Sequence, residues 1–599
     1  MVPNRVRASF AFVLIITAAL SATVIGQKSG TNEKVEQKAQ RTLSKLDKAL
    51  TAAVESDTPE AQRVIIRLAP GATFALADSL RSNGRKVKHV HASINAVAAT
   101  VSASDLEVLS TLPSVASIST DAVVTADQFY GFMPYTLRGT LGLSSYSSGP
   151  AGSGTGVAVI DSGIAPSSEF DARLAGSYDF TNDGVAVPAS DGYGHGTHVA
   201  GLIGGNGDQS SRRYRGLAPK ANLFALKVLD EHGAGATSDV ISAIEFAIDN
   251  KNRLGIDIIN LSLGHPVLEP VATDPLVQAV EAAVRAGIVV VASAGNYGIN
   301  PATGQPGYAG ILSPGNAPSA ITVGAVKTYD SASRTDDRVA SYSSRGPSWY
   351  DGLAKPDLVA PGHGMVSVAA QNSTLYTNYA GLHVGSAYLK LSGTSMAAAV
   401  VSGAAALVIE ANRAAYGTGL PPNAVKAILE YTAFRVTAGD GTDYDLLTQG
   451  AGALNAQGAV ALASLIDPSV AQSSWWLTGP IAPASTIAGE TLPWAQRILW
   501  GGAEGAGPAI YNHESAWATN IVWGNNIVWG NNIVWGNNIV WGNNIVWGNN
   551  IVWGNTLIGM TAGQTVIWGA SIGEAGLTVW GNLACSTTSS QSILTSDPE

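Results

Sequence analysis

The chain has 599 residues, 46% of them hydrophobic and only 13% charged. Its 34 Lys and Arg against 44 Asp and Glu leave a net charge of −10, the wrong sign for a protein whose main partner is nucleic acid. A single cysteine, Cys585, excludes an internal disulfide and any Cys-built zinc site. At roughly 100–200 residues per domain, the length calls for several parts.

Residues 1–26 read as a secretory signal peptide: Arg5 and Arg7, an apolar run over 10–16, then small residues over 18–22. A membrane anchor is the competing reading, although no second stretch reads as a spanning helix. Residues 27–63 are rich in Lys, Glu and Gln and are expected to be a solvated lead-in. Over 64–126 the pattern predicts strands at 64–68, 86–90, 96–101 and 115–119. Helices are expected at 72–81 and 104–112, the second opened by a capping box from Ser104 to Glu107. That βαββαβ order matches a small split-βαβ sandwich.

Residues 127–465 alternate short β-branched runs, at 157–160, 256–261, 288–292 and 321–323, with helical patterns at 238–250 and 275–286. The expected fold class is α/β: a parallel sheet with helices on both faces. Ligands of such sheets sit at the carboxyl ends of the strands, so chemistry is sought there. Residues 466–599 change character. No charged side chain occurs from Ser515 to Gly573, and Ile-Val-Trp-Gly recurs six times between Ile521 and Gly554 with a six-residue period. This even period fits a stacked β-solenoid, and the composition also fits a flexible, adhesive tract. The Trp and Asn side chains suit contact with glycans or cell-envelope polymers.

Four strand or helix ends carry candidate chemistry. Asp161 follows the run 157–160; an Asp there is ordinarily a turn former. His195 stands in Gly194-His195-Gly196-Thr197-His198. The spacing to His198 allows a metal pair, but no Glu or Cys accompanies it at metalloprotease spacing, and a general base fits better. Asn296 ends Ser293-Ala294-Gly295-Asn296, an ordinary turn or an amide placed to stabilise an oxyanion. Ser395 opens an uncharged helix, where a hydroxyl is usually a cap but can also be a nucleophile. Together the four suit one mechanism: a serine deprotonated by a histidine, a carboxylate to orient that histidine, and a donor for the tetrahedral oxyanion.

The boxes 159–163, 195–201 and 393–397 resemble those of the subtilases, the subtilisin-like serine endopeptidases. So do the supporting stretches 260–264, 294–296, 342–347 and 355–362. The resemblance covers about 127–465. It implies that Asp161 orients His195, that His195 is base and then acid, and that Ser395 is the nucleophile. Asn296 and the Ser395 N–H would form the oxyanion hole. Ser262, Leu263, Gly264, Ala294 and Gly295 would line the specificity pocket and pair with an extended polypeptide substrate. By the same resemblance 64–126 is an inhibitory propeptide, removed by self-cleavage near Ala126–Asp127, and the protein is secreted, extracellular or held at the cell envelope. The chemistry requires no cofactor. Family calcium sites lie on variable loops, and no ligand set in this chain matches them, so structural calcium and any metal site stay unassigned. Ala399 departs from the family's proline, Val400-Val401-Ser402-Gly403 lacks a usual histidine, and His265 stands where a small residue is common.

Overall fold

The computed structural model describes residues 45–126 apart from 57, and residues 137–143, 149–300 and 303–500. Further along it describes 503–506, 510–511, 513 and six short strand segments between 528 and 579. The expected signal peptide, residue 127 beside the expected cut, and most of the repeat tract fall outside these residues.

The N-terminal domain runs α1 (Lys48–Glu55), β1 (Gln62–Leu68), α2 (Thr73–Ser82), β2 (Lys86–His91), β3 (Ala96–Val101), α3 (Ala103–Thr111) and β4 (Val115–Thr120). Its four strands form a sheet in the order β2-β3-β1-β4 with antiparallel neighbours. Strand alternation splits the residues by face. Val64, Ile66 and Val97 join Leu76, Leu80, Leu106 and Leu109 in the domain's own core, while Ile65, Ala96 and Ala98 pack into the neighbouring domain. Two expectations are corrected. The lead-in is not wholly solvated: Asp47 caps α1 through Leu50 N at 2.8 Å, and Leu50 is buried in the core. The capping box lies two residues earlier than expected. Ser102 Oγ accepts from Asp105 N, and Asp105 Oδ2 accepts from Ser102 N. Asp is short enough to reach back across that turn, so it displaces Glu107 from the role.

After β5 (Val123–Ala126) comes the large domain: β6 (Gly156–Asp161), β7 (Leu174–Asp179), α4 (His195–Gly204), β8 (Asn222–Lys227), β9 (Ala234–Ala236), α5 (Thr237–Leu254), β10 (Ile256–Leu261), β11 (Leu263–Gly264), α6 (Pro275–Arg285), β12 (Val289–Ser293), β13 (Ile321–Lys327), β14 (Leu358–Pro361), α7 (Thr394–Tyr416) and α8 (Pro422–Tyr431). Seven of these strands run parallel in the order β14-β13-β12-β10-β6-β8-β7. Val157 and Val159 face one hydrophobic cluster with α4 and α7; Ala158 and Ile160 face the other with α5 and α6. The sheet is thus covered on both faces, as its continuous apolar strands require. From β6 the chain passes to β7 and then β8 on one side and later to β10 on the other, so the switch point lies at the carboxyl ends of β6 and β10. Helix α7 is apolar and long enough to cross a membrane, but it is buried in the core.

Residues beyond the expected boundary at 465/466 pack onto the large domain. Trp476, Trp494, Ile498 and Trp500 belong to the same cluster as α7 and α8. Leu499 N donates to Glu430 Oε2 at 2.6 Å, and Lys426 Nζ sits 5.2 Å from the Trp500 ring centre. Among the described repeat segments, 528–529, 533–534, 539–541 and 545–547 pair in succession as antiparallel strands, and 566–567 pairs with 578–579 in parallel. Gly-Asn-Asn, a run of turn formers, separates each Ile-Val-Trp from the next.

Candidate active site

Asp161 ends β6 and Ser262 follows β10, and these two strands are adjacent, with Ile160 opposite Leu261. Each of the two residues holds one half of the site. Asp161 accepts from His195 Nδ1 at 2.8 Å and 2.9 Å through its two oxygens, with both side chains fully buried. Gly196 lets helix α4 approach this closely: a Cβ there would lie 2.2 Å from Gly163 O and 3.1 Å from Asp161 Cβ. With Nδ1–H committed to Asp161, the basic lone pair of His195 is on Nε2. On the other half, Ser395 Oγ donates to Ser262 O at 3.0 Å, and Ser262 Oγ donates to Ser395 O at 2.9 Å. These two bonds fix Ser395 in the first turn of α7, where backbone N–H groups lack helical partners.

Asn296 follows β12. Its Oδ1 accepts from Thr394 N at 3.1 Å and Thr394 Oγ1 at 3.2 Å, and Thr394 Oγ1 accepts from Gly295 N at 3.1 Å. Binding the amide oxygen turns Nδ2 the other way, where it is buried and makes no hydrogen bond. A buried N–H₂ with no acceptor is costly unless an acceptor arrives during function.

β5 lies as an extended strand between two strands of the large domain. Thr125 pairs with Ala234 on one side and Gly264 on the other, and Ala126 pairs with Leu263, all antiparallel. The chain's own segment therefore enters the cleft beside Ser262, the residue that holds Ser395.

The subtilase family model matches residues 152–460. The chain belongs to the subtilase family. It is of the serine endopeptidase class: over 319 residues it is 41% identical to the serine protease AprX of Bacillus subtilis, covering 52% of this chain and 66% of AprX. Over 332 residues it is 37% identical to subtilisin E of the same organism, covering 55% of this chain and 75% of that one. Fervidolysin from Fervidobacterium pennivorans, described as a keratinolytic enzyme related to subtilisin, shares the fold with a TM-score of 0.53 at 22% identity, over 67% of this chain and 61% of its own.

In this subtilase the expected site residues are distributed as follows. Leu263 and Gly264 pair with the bound strand, and Ser262 anchors Ser395. The Ala294 main chain is instead engaged within the fold, with N bonded to Val323 O and O to Leu312 N. The second wall of the cleft is β9, which sequence reasoning missed, because Ala-Gly-Ala carries no side-chain signal. Two supporting residues were also missed. Thr394, next to Ser395 in sequence, orients Asn296, 98 residues away. Asp191 accepts from Ser162 Oγ, Tyr193 N, Gly194 N, Thr197 N and Thr197 Oγ1, so it caps the helix that carries His195. Burial pushes the Asp191 carboxyl up, against the pull of these donors.

His198 does not join His195 as a metal pair. Its Nε2 faces Met365 O and Leu389 O at 3.0 Å and 3.1 Å; burial first, and the His195 charge second, bring it down to about 3, so it is a neutral structural donor. Among the described residues no group of three His, Cys, Asp or Glu is placed to hold a metal. The departures at Ala399, Val400 and Val401 lie inside α7, which runs unbroken and buried through them. His265 is buried, its main chain bonded both ways to Ser313.

Proposed function

We propose that this protein is a secreted endopeptidase, made as a zymogen that cuts itself, with 64–126 as its inhibitory propeptide and self-cleavage near Ala126–Asp127. The observation that carries the reading is β5. A chain that arrives from a separately cored domain, pairs on both edges of the cleft and leads to the Ser262–Ser395 contact is bound as a substrate would be, by strand addition.

In the proposed reaction His195 Nε2 takes the Ser395 proton as Oγ attacks the scissile carbonyl. Asp161 holds the imidazole and balances the charge it gains. The carbonyl oxygen, now anionic, accepts from Asn296 Nδ2 and the Ser395 N–H, so the unpartnered amide acquires its acceptor as charge develops. His195 then protonates the leaving amine, and water resolves the acyl-enzyme by the same path in reverse. Each of these steps is carried by side chains and backbone of the chain itself.

Mass spectrometry of the secreted protein, wild type beside Ser395→Ala, tests this. The wild type should lose its N-terminal domain. The variant should stay full length after signal removal and lose peptide hydrolysis by a factor on the order of 10⁶, the scale known for the nucleophile of subtilisin. Normal processing by the variant would refute the assignment.

A further inference from the structure

One polar side chain deep in α7 has no part in the proton transfers above. Ser402 is fully buried and lies two turns along the helix from Ser395, on the same face. Facing it is Asn260 on β10, also fully buried. Asn260 stands among apolar neighbours: Val159 and Val291 are opposite it on the adjacent strands, and both belong to the cluster around α7. An amide in such a place is costly unless its polar atoms are bonded. Ser402 Oγ donates to Asn260 Oδ1 at 2.8 Å, and Asn260 Nδ2 donates to Ser262 Oγ at 2.9 Å. Ser262 Oγ in turn donates to Ser395 O at 2.9 Å. A line of hydrogen bonds thus runs from Ser402 to the residue that attacks.

The direction of each bond follows from the last one. A hydroxyl has a single hydrogen to donate. That of Ser262 is committed to Ser395 O, so Ser262 Oγ can only accept from Asn260. The amide must then present Nδ2 to Ser262 and Oδ1 to α7, where Oδ1 needs a donor. Ser402 supplies it. Without the Ser402 hydroxyl the amide is drawn to turn over, because Oδ1 then meets the Ser262 hydrogen. That hydrogen leaves Ser395 O, and one of the two bonds that fix Ser395 is lost.

We propose that Ser402 is a positioning residue for the peptidase reaction. It holds the Asn260 amide in the one orientation that keeps the Ser262 hydrogen on Ser395 O and Ser395 Oγ in place for attack. The inference rests on the peptidase reading and deepens it. A displaced nucleophile slows attack without weakening the grip of the cleft on its substrate, so the effect belongs to kcat.

The test uses the full chain, expressed and allowed to process, with a peptide substrate and, separately, phenylmethanesulfonyl fluoride. This small reagent needs none of the extended cleft: a bond from Ser395 Oγ to sulfur forms as the S–F bond breaks, and the serine proton passes to His195. Ser402→Ala should lower both kcat and the reagent's rate by about tenfold, with KM changed by about twofold or less. Ser402→Thr keeps a hydroxyl donor and should stay within about twofold of the wild type in both rates. Ser402→Cys offers only a weak donor in a slightly larger side chain and should lose about fourfold or more. Donor strength and volume thus rank the series differently, and the Thr and Cys variants decide the matter even where Ser402→Ala folds poorly. Adding Asn260→Ala to Ser402→Ala removes the amide that turns over and should recover most of the lost rate, whereas two residues that merely fill space would give a further loss. Rates that follow side-chain volume, a loss confined to KM, wild-type rates in Ser402→Ala, or a double variant slower than Ser402→Ala would each overturn the role of Ser402 while leaving the peptidase reading intact. A wild type that neither cuts peptides nor reacts with the reagent would overturn that reading, and this inference with it.

Discussion

The two flanks of the catalytic domain are attached in opposite ways. The N-terminal domain has its own core, and its contact is rich in polar pairs. Lys88 Nζ lies 2.6 Å from Asp239, His89 Nε2 3.2 Å from Asp239, and His91 Nδ1 3.0 Å from Glu245, while Asp121 accepts from Ser238 N and Oγ at the start of α5. The C-terminal stretch 466–500 has no separate core; Trp476, Trp494 and Trp500 complete the cluster around α7 and α8. A domain that carries its own core can leave with that core intact, uncovering the sheet face of Ile65, Ile94, Ala96 and Ala98 that packs on the large domain. A stretch that supplies part of another core cannot, because its loss leaves a cavity. The two attachments fit a detachable inhibitor and a permanent brace.

The largest expected effect tests the brace. Trp500→Ala should destabilise the mature enzyme by roughly 3–5 kcal/mol, the usual cost of emptying a fully buried aromatic site. Denaturant unfolding measures it, and a loss below about 1 kcal/mol would mean that the C-terminal stretch is an appendage. Next comes the detachable side. Asp121→Ala removes a side-chain cap of α5, which has none from its own N-cap residue, Ala236. Losing charge-assisted bonds costs roughly 1.5–3 kcal/mol, so inhibition by the released N-terminal domain should weaken by about 10–150-fold. Unchanged inhibition would move the grip elsewhere.

The smallest effect is a pH dependence. Glu269, on the large domain, is pushed up to about 8 by burial first and then by the like charge of Asp274. Arg67 and Asp47 of the N-terminal domain also act on it. Separation removes the Asp47 charge and the share of the burial that the N-terminal domain supplies, so the separated form releases this proton at lower pH than the complex. Its contribution to binding is therefore complete at low pH, where both forms hold the proton, and is lost as pH rises toward 8. One proton sets a ceiling of about tenfold per pH unit, so the N-terminal domain should bind several-fold more weakly at pH 8 than at pH 7. Glu269→Gln should flatten the difference between the two; an equally steep profile in that variant would remove Glu269 from the linkage.

The strands that hold the site were visible in the sequence because they are buried on both faces: 157–160 is uninterruptedly apolar, 256–261 is rich in Ile, and the structure extends each by a residue or less at either end. Strand β9 was not, since Ala-Gly-Ala has neither pattern nor propensity and pairs only because β5 lies beside it. That residues 466–500 pack on the large domain was hidden for a related reason. The shift toward tryptophan-rich, uncharged sequence suggested a new region, but local composition does not show whose core a tryptophan fills.

The sequence by itself determined the α/β class and the central strands, and it singled out Asp161, His195, Asn296 and Ser395 as candidates, because apolar periodicity and short boxes at strand ends are local properties. Only the tertiary structure decided that Thr394 aims Asn296, that Asp191 caps the histidine helix, that residues 123–126 lie in the cleft, and that Trp500 belongs to the catalytic core. Each of those is a contact between segments far apart in the chain, fixed by how sheet and helices pack rather than by the order in which the residues are written.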